Sequence, residues 1–166
     1  MELLRTVNNI LSNIALAAAM AIVLLMVLAL TLSASTRFIT GIGYDWFIEL
    51  PPVLVSWLVF PLLGYLLKSS QHIKVDFLPT FISQETRKYL NPLINLIALV
   101  SACVFLRGGI DATLLYYNLG QVMELEIEIP MWWMYLAFPV GFLMLALVAL
   151  ELLLSDLRNL IKIDPR

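Results

Sequence analysis

The chain is poor in the residues that most chemistry requires. It has one cysteine, Cys103, and one histidine, His72. A lone cysteine forms neither an internal disulfide nor a CxxC redox pair, and a lone loop histidine supports neither a metal site nor a haem held by axial ligands within helices. No nucleophile sits beside a base, which argues against hydrolase and redox enzymes. There is no glycine-rich phosphate loop, and no basic stretch interleaved with aromatics to suggest nucleic acid. Charge is scarce as well, at 13% of residues, about half the share of an ordinary soluble domain.

What the chain does have is apolar length. Ile10–Leu32 contains no charge, Trp46–Leu67 contains only Glu49, and Tyr89–Leu106 and Met131–Leu150 contain none. A bilayer core takes about 20 helical residues to cross at about 1.5 Å each. A soluble bundle of this size would show charged stripes at helical period, and these runs show none. The sequence therefore predicts an all-α membrane protein, one domain over residues 1–166, with spans at about 10–34, 45–68, 86–112 and 130–155. The first run exceeds the apolar core of a signal peptide and is expected to stay as a span.

Basic residues give the expected orientation. Arg5, Lys68, Lys74, Arg87, Lys88, Arg158, Lys162 and Arg166 fall in the tails and the loop between spans two and three, against only Arg37 and Arg107 on the other side. Lys and Arg are retained in the cytoplasm on insertion, so both termini are expected there. Between spans two and three, Gln71–Leu78 alternates polar and apolar residues, as an interfacial segment would. Trp46, Trp132, Trp133 and Tyr135 read as an aromatic belt that sets depth at the opposite interface.

Within the spans few residues invite a role. Ala15, Ala17, Ala18, Ala19 and Ala21 form either a helix contact face or lipid-facing filler. Pro61 is expected to kink span two, with Gly64 admitting a neighbour. Pro139 and Gly141 are expected to loosen span four, and Glu151–Ile163 to leave the bilayer as an amphipathic extension. Arg107 and Asp111, four apart, read as a pair at a solvated helix end. Glu49 is the one ionisable residue assigned to a span interior. It is shallow, and is either a partner-facing anchor or an interfacial side chain that snorkels. The alternation Glu124, Glu126, Glu128 on the non-cytoplasmic side either meets a basic partner or keeps a loop wet.

Taken together, these segments resemble the small, four-span membrane subunit of tripartite ATP-independent periplasmic (TRAP) transporters. The resemblance rests on Glu49 ahead of Trp57-Leu58-Val59-Phe60 and Gly64, on His72-Ile73-Lys74-Val75-Asp76, and on Ile129-Pro130-Met131-Trp132-Trp133-Met134-Tyr135 followed by Pro139 and Gly141. One position departs: relatives often carry arginine three residues beyond the span-two glutamate, where this chain has Pro52. The resemblance implies a location in the bacterial inner membrane and a non-enzymatic scaffold beside a large, sodium-coupled, elevator-type subunit that takes up an organic anion. A periplasmic binding protein would deliver that anion. Sodium would be held in the large subunit, with no cofactor in this chain. Glu49, Trp57, Ala15 and Ala18 would then contact the large subunit. His72, Lys74 and Asp76 would fix the cytoplasmic loop against it or against lipid headgroups. Glu124, Glu126 and Glu128 would receive the binding protein. Two rival readings are an autonomous oligomeric channel or transporter, and an anchor subunit of an unrelated membrane complex.

Overall fold

The computed structural model describes residues 2–42, 46–69, 84–123 and 128–162. Its helices are α1 (Glu2–Thr40), α2 (Trp46–Lys68), α3 (Gln84–Leu119), α4 (Met131–Tyr135) and α5 (Ala137–Lys162). A small antiparallel hairpin, β1 (Val122–Met123) and β2 (Ile129–Pro130), joins α3 to α4. Four segments are long and apolar enough to cross a membrane.

Span two has the expected limits, but the others run longer than the apolar runs that announce them. Helix α1 continues to Thr40 through a hydroxyl-rich segment. There Thr31, Ser35, Thr36 and Thr40 donate to the carbonyls one turn back at 2.7–2.9 Å. Their polar groups are satisfied within the helix, so the chain stays helical past the last leucine. Gly41 and Gly120 close α1 and α3 with φ of 73° and 60°, the left-handed turn that lets helix carbonyls find late amides. Helix α3 ends at Leu119, well past the expected limit of 112. Arg107 and Asp111 are thus inside a helix and not at its end, which corrects the reading above.

Helix α2 is continuous across Pro61. In the fourth span the break falls at Leu136, three residues before Pro139. Pro139 has no amide hydrogen to donate to the Tyr135 carbonyl. Gly141 does not loosen anything. A Cβ there would lie 2.4 Å from the Phe60 backbone, so the absent side chain is what brings α2 and α5 together. Gly64 does admit a neighbour, its Cβ position lying 3.1 Å from the Met144 backbone.

The helices form an open row and not a closed bundle. Helix α1 packs mainly on α2, α2 on α5, and α3 on α4 and α5. The order across the row is α1, α2, α5, α3. Phe138 and Phe142 of α5 hold its centre, with Phe60 of α2 at 3.9 Å from Phe138 and Phe105 of α3 at 5.1 Å from Phe142, ring centre to ring centre. The exposed surface is 11397 Å², against about 8300 Å² for a compact soluble monomer of this mass.

Candidate functional site

Among the described residues, polar side chains in two places stand out, and they are built differently. The first is at the end of the row where the chain begins and ends. Asn8 of α1 is 1% exposed. Its Nδ2 donates to the Leu147 carbonyl at 3.1 Å and to Glu151 Oε2 at 2.7 Å. Lys68, the last residue of α2, donates to Asn9 Oδ1 and pairs with Glu151 at 3.6 Å. One carboxylate therefore ties α1, α2 and α5. About one turn farther along, Asn95 of α3 donates to Asp156 of α5 at 2.8 Å. Sequence reasoning missed this clamp. A signal was present: Asn8, Ser12, Ala15 and Ala19 recur at helical spacing, and all four are buried.

The opposite end is aromatic. Tyr135 stacks on Tyr116 at 4.2 Å, and Trp132 meets Tyr117 edge-on at 5.8 Å. Trp57 donates its indole N–H to the Trp133 carbonyl at 3.2 Å, with ring centres 5.4 Å apart. Trp46 stacks on Phe47 at 4.0 Å. The rings of Trp57, Trp132, Trp133 and Tyr135 form a belt with polar tips, the composition that suits a membrane interface, while Trp46 lies about 16 Å before Trp57 along α2.

The second polar cluster lies between clamp and belt. Contacts along α3 fix its depth: Phe105 against Phe142, Gly109 against Pro139, Tyr116 against Tyr135. Arg107 is therefore level with the Val140–Gly141 region, and Asp111 about one turn nearer the belt. Gly141 is ten residues from both Met131 and Glu151, or about 15 Å from either end of the apolar part of that span. Arg107 is thus level with the middle of the apolar run of the fourth span. Both charged side chains are exposed, and neither makes an ion pair or hydrogen bond with another described residue. A charge at the centre of a spanning helix costs about 2.5–3.5 kcal/mol on insertion scales.

The other candidate residues are dispersed. Ala15 is buried inside the row, while Ala18 faces outward. Glu49 and Trp57 are half-buried on α2, about two turns apart, and Trp57 is already engaged with Trp133. Glu128 is exposed beside the hairpin. His72, Lys74, Asp76, Glu124 and Glu126 lie outside the described residues. An open groove of about 420 Å³ runs between α1 and α2, walled by Ala19, Val23, Leu58, Leu62 and similar side chains. Such a lining offers nothing to orient a polar solute.

The sequence matches the family model described as tripartite ATP-independent periplasmic transporters, DctQ component, over residues 26–159. Against the curated proteins no match is found. The matched segment takes in the last part of span one, all of the other three and the hairpin between the last two, and by that match the chain belongs to the DctQ family of TRAP transporter components.

Proposed function

We propose that this chain is the small, non-catalytic membrane subunit of a sodium-coupled, binding-protein-dependent transporter for an organic anion. It widens and steadies the fixed scaffold of a large elevator-type subunit. Sodium and solute are bound in that larger chain. The bilayer is the bacterial inner membrane, with the clamp at the cytoplasmic face and the hairpin at the periplasmic face. The excess of Lys and Arg in tails and middle loop supports that orientation.

The observation that carries the reading is the open row. A solute-conducting unit encloses a polar path, usually with interrupted helices and facing repeats. Here two of the four spanning helices are edges, and the outward surface is large and apolar. That shape suits a plate laid beside another membrane protein. Reconstituting the large subunit and binding protein in liposomes, with and without this chain, tests it. Uptake driven by a sodium gradient requires all three. Flux through this chain alone would refute the reading.

Glu124, Glu126 and Glu128 lie in sequence between β1 and β2, and on the periplasmic side they would steer a basic patch of the binding protein. Reversing all three to lysine slows uptake about tenfold at low ionic strength, with the deficit shrinking as salt screens the field. Unchanged uptake and unchanged association would remove this role from the hairpin and leave the scaffold role standing.

A further inference from the structure

We propose that the outward face of α3 around Gly108 is an intramembrane docking surface for a spanning helix of the large subunit. That helix would present a carboxylate or amide to Arg107, a donor to Asp111 and a small side chain to Gly108. The assignment rests on the reading of the chain as the small subunit of a larger complex.

Depth is the first support. Arg107 is about 15 Å from either end of the neighbouring apolar span, too far for its side chain to reach headgroups. Asp111, about one turn nearer the belt, has a single methylene and no reach at all. Lipid tails supply neither a counter-ion nor a hydrogen bond, so charges at this depth face protein or a water-filled cavity.

Shape is the second. Gly108 and Gly109 are adjacent, about 100° apart around the helix, and meet different surroundings. Gly109 is buried, and a Cβ on it would lie 3.1 Å from Pro139. A Cβ on Gly108 would meet nothing. Val104, Leu114 and Leu115 continue the outward face above and below, each more than half exposed. A bare backbone flanked by polar side chains is what lets membrane helices approach closely and hold.

Position and charge choose the occupant. Helix α3 is an edge of the row, open to a neighbour along its length. The other edge, α1, carries no charge between Arg5 and Arg37 and suits lipid. A second copy of this chain related by a two-fold axis along the membrane normal would set Arg107 against Arg107 at one depth. Like charges in a medium of low dielectric repel strongly, so the complementary partner is a different helix.

The test uses the complete transporter in native membranes. A benzophenone amino acid is placed at Val104 or Leu115 on α3, and at Ile14 or Leu24 on α1 as the comparison edge. On irradiation, the α3 positions should give an adduct of this chain with the large subunit, and the α1 positions should not. Arg107→Leu, Asp111→Leu and Gly108→Ile each cut the yield of co-purified large subunit at least tenfold, while Arg107→Lys keeps most of it. Adducts from α1 alone, adducts of two copies of this chain, or wild-type yields from all three variants would overturn the proposal. If the two wild-type subunits co-purify in those cases, the scaffold reading survives. If they never co-purify, both fall.

Discussion

The clamp at the chain ends and the pair on α3 use similar residues to opposite ends. Lys68 and Glu151 sit where α2 stops and the apolar run of the fourth span gives way. Their side chains are 23% and 14% exposed, and Asn8 and Asn9 complete their hydrogen bonds. Each charge is answered inside the chain. Arg107, level with the middle of the fourth span's apolar run, and Asp111, about one turn nearer the belt, are exposed and are answered by nothing described in the chain. The helices differ accordingly. Of the most apolar window of the fourth span 39% is buried, and of the third only 11%. A polar group turned inward helps fix a fold, and one turned outward at the same cost indicates something else to hold. The fold is thus finished around α5 and unfinished along α3.

That contrast breaks most sharply at the centre of the row. Gly141→Leu places a side chain where the Phe60 backbone already is. No rotamer relieves a clash with backbone, so α2 and α5 must separate, taking the Phe60–Phe138 contact with them. Destabilisation of about 3 kcal/mol is expected, read as loss of monodisperse protein and a lower unfolding midpoint in a fixed detergent. A well-folded Gly141→Leu protein would mean that α5 is not the centre of the fold.

The clamp gives the next effect. Glu151→Ala removes the acceptor for Asn8 and the partner of Lys68 together, and costs about 2 kcal/mol in the same assay. Lys68→Leu combined with Glu151→Leu should cost less than the sum of the two single changes, because neither charge is left alone. Strict additivity would show that the pair is a surface feature and not a tie between helices.

How much of this was legible in the residues depends on which direction a residue faces. Four spans and the approach at Gly64 follow from run length and a missing side chain. Both are properties of one segment read alone. The register between segments is not. The apolar run Tyr89–Leu106 reads as the third span, yet contacts of Phe105 with Phe142 and Asn95 with Asp156 slide it past the fourth. The start of that run reaches beyond Glu151, and the charged segment after it, Arg107 to Asp111, falls level with the middle of Met131–Leu150. A hydropathy window has no access to that slide, so Arg107 and Asp111 were placed at a solvated helix end. Asn8 was overlooked for a related reason: its partner is 143 positions away in sequence, and no local rule brings the two together.

The smallest effect sharpens the comparison most, because it changes one atom group on each side of a single helix. Gly109→Ala puts a methyl 3.1 Å from Pro139, and the buried seam between α3 and α5 must give by a few tenths of an ångström. Gly108→Ala puts the same methyl into open space. Alanine favours helix over glycine by about 0.8–1 kcal/mol, and at Gly108 that gain is unopposed in the isolated chain. At Gly109 the strain offsets it or exceeds it. Unfolding midpoints in detergent should therefore rise for Gly108→Ala and stay level or fall for Gly109→Ala. In the assembled transporter the order reverses for docking: the Gly108 variant weakens association with the large subunit, since its methyl occupies the line of approach, and the Gly109 variant leaves association as it was. Equal effects of the two substitutions on both measurements would mean that α3 has no distinct inner and outer face.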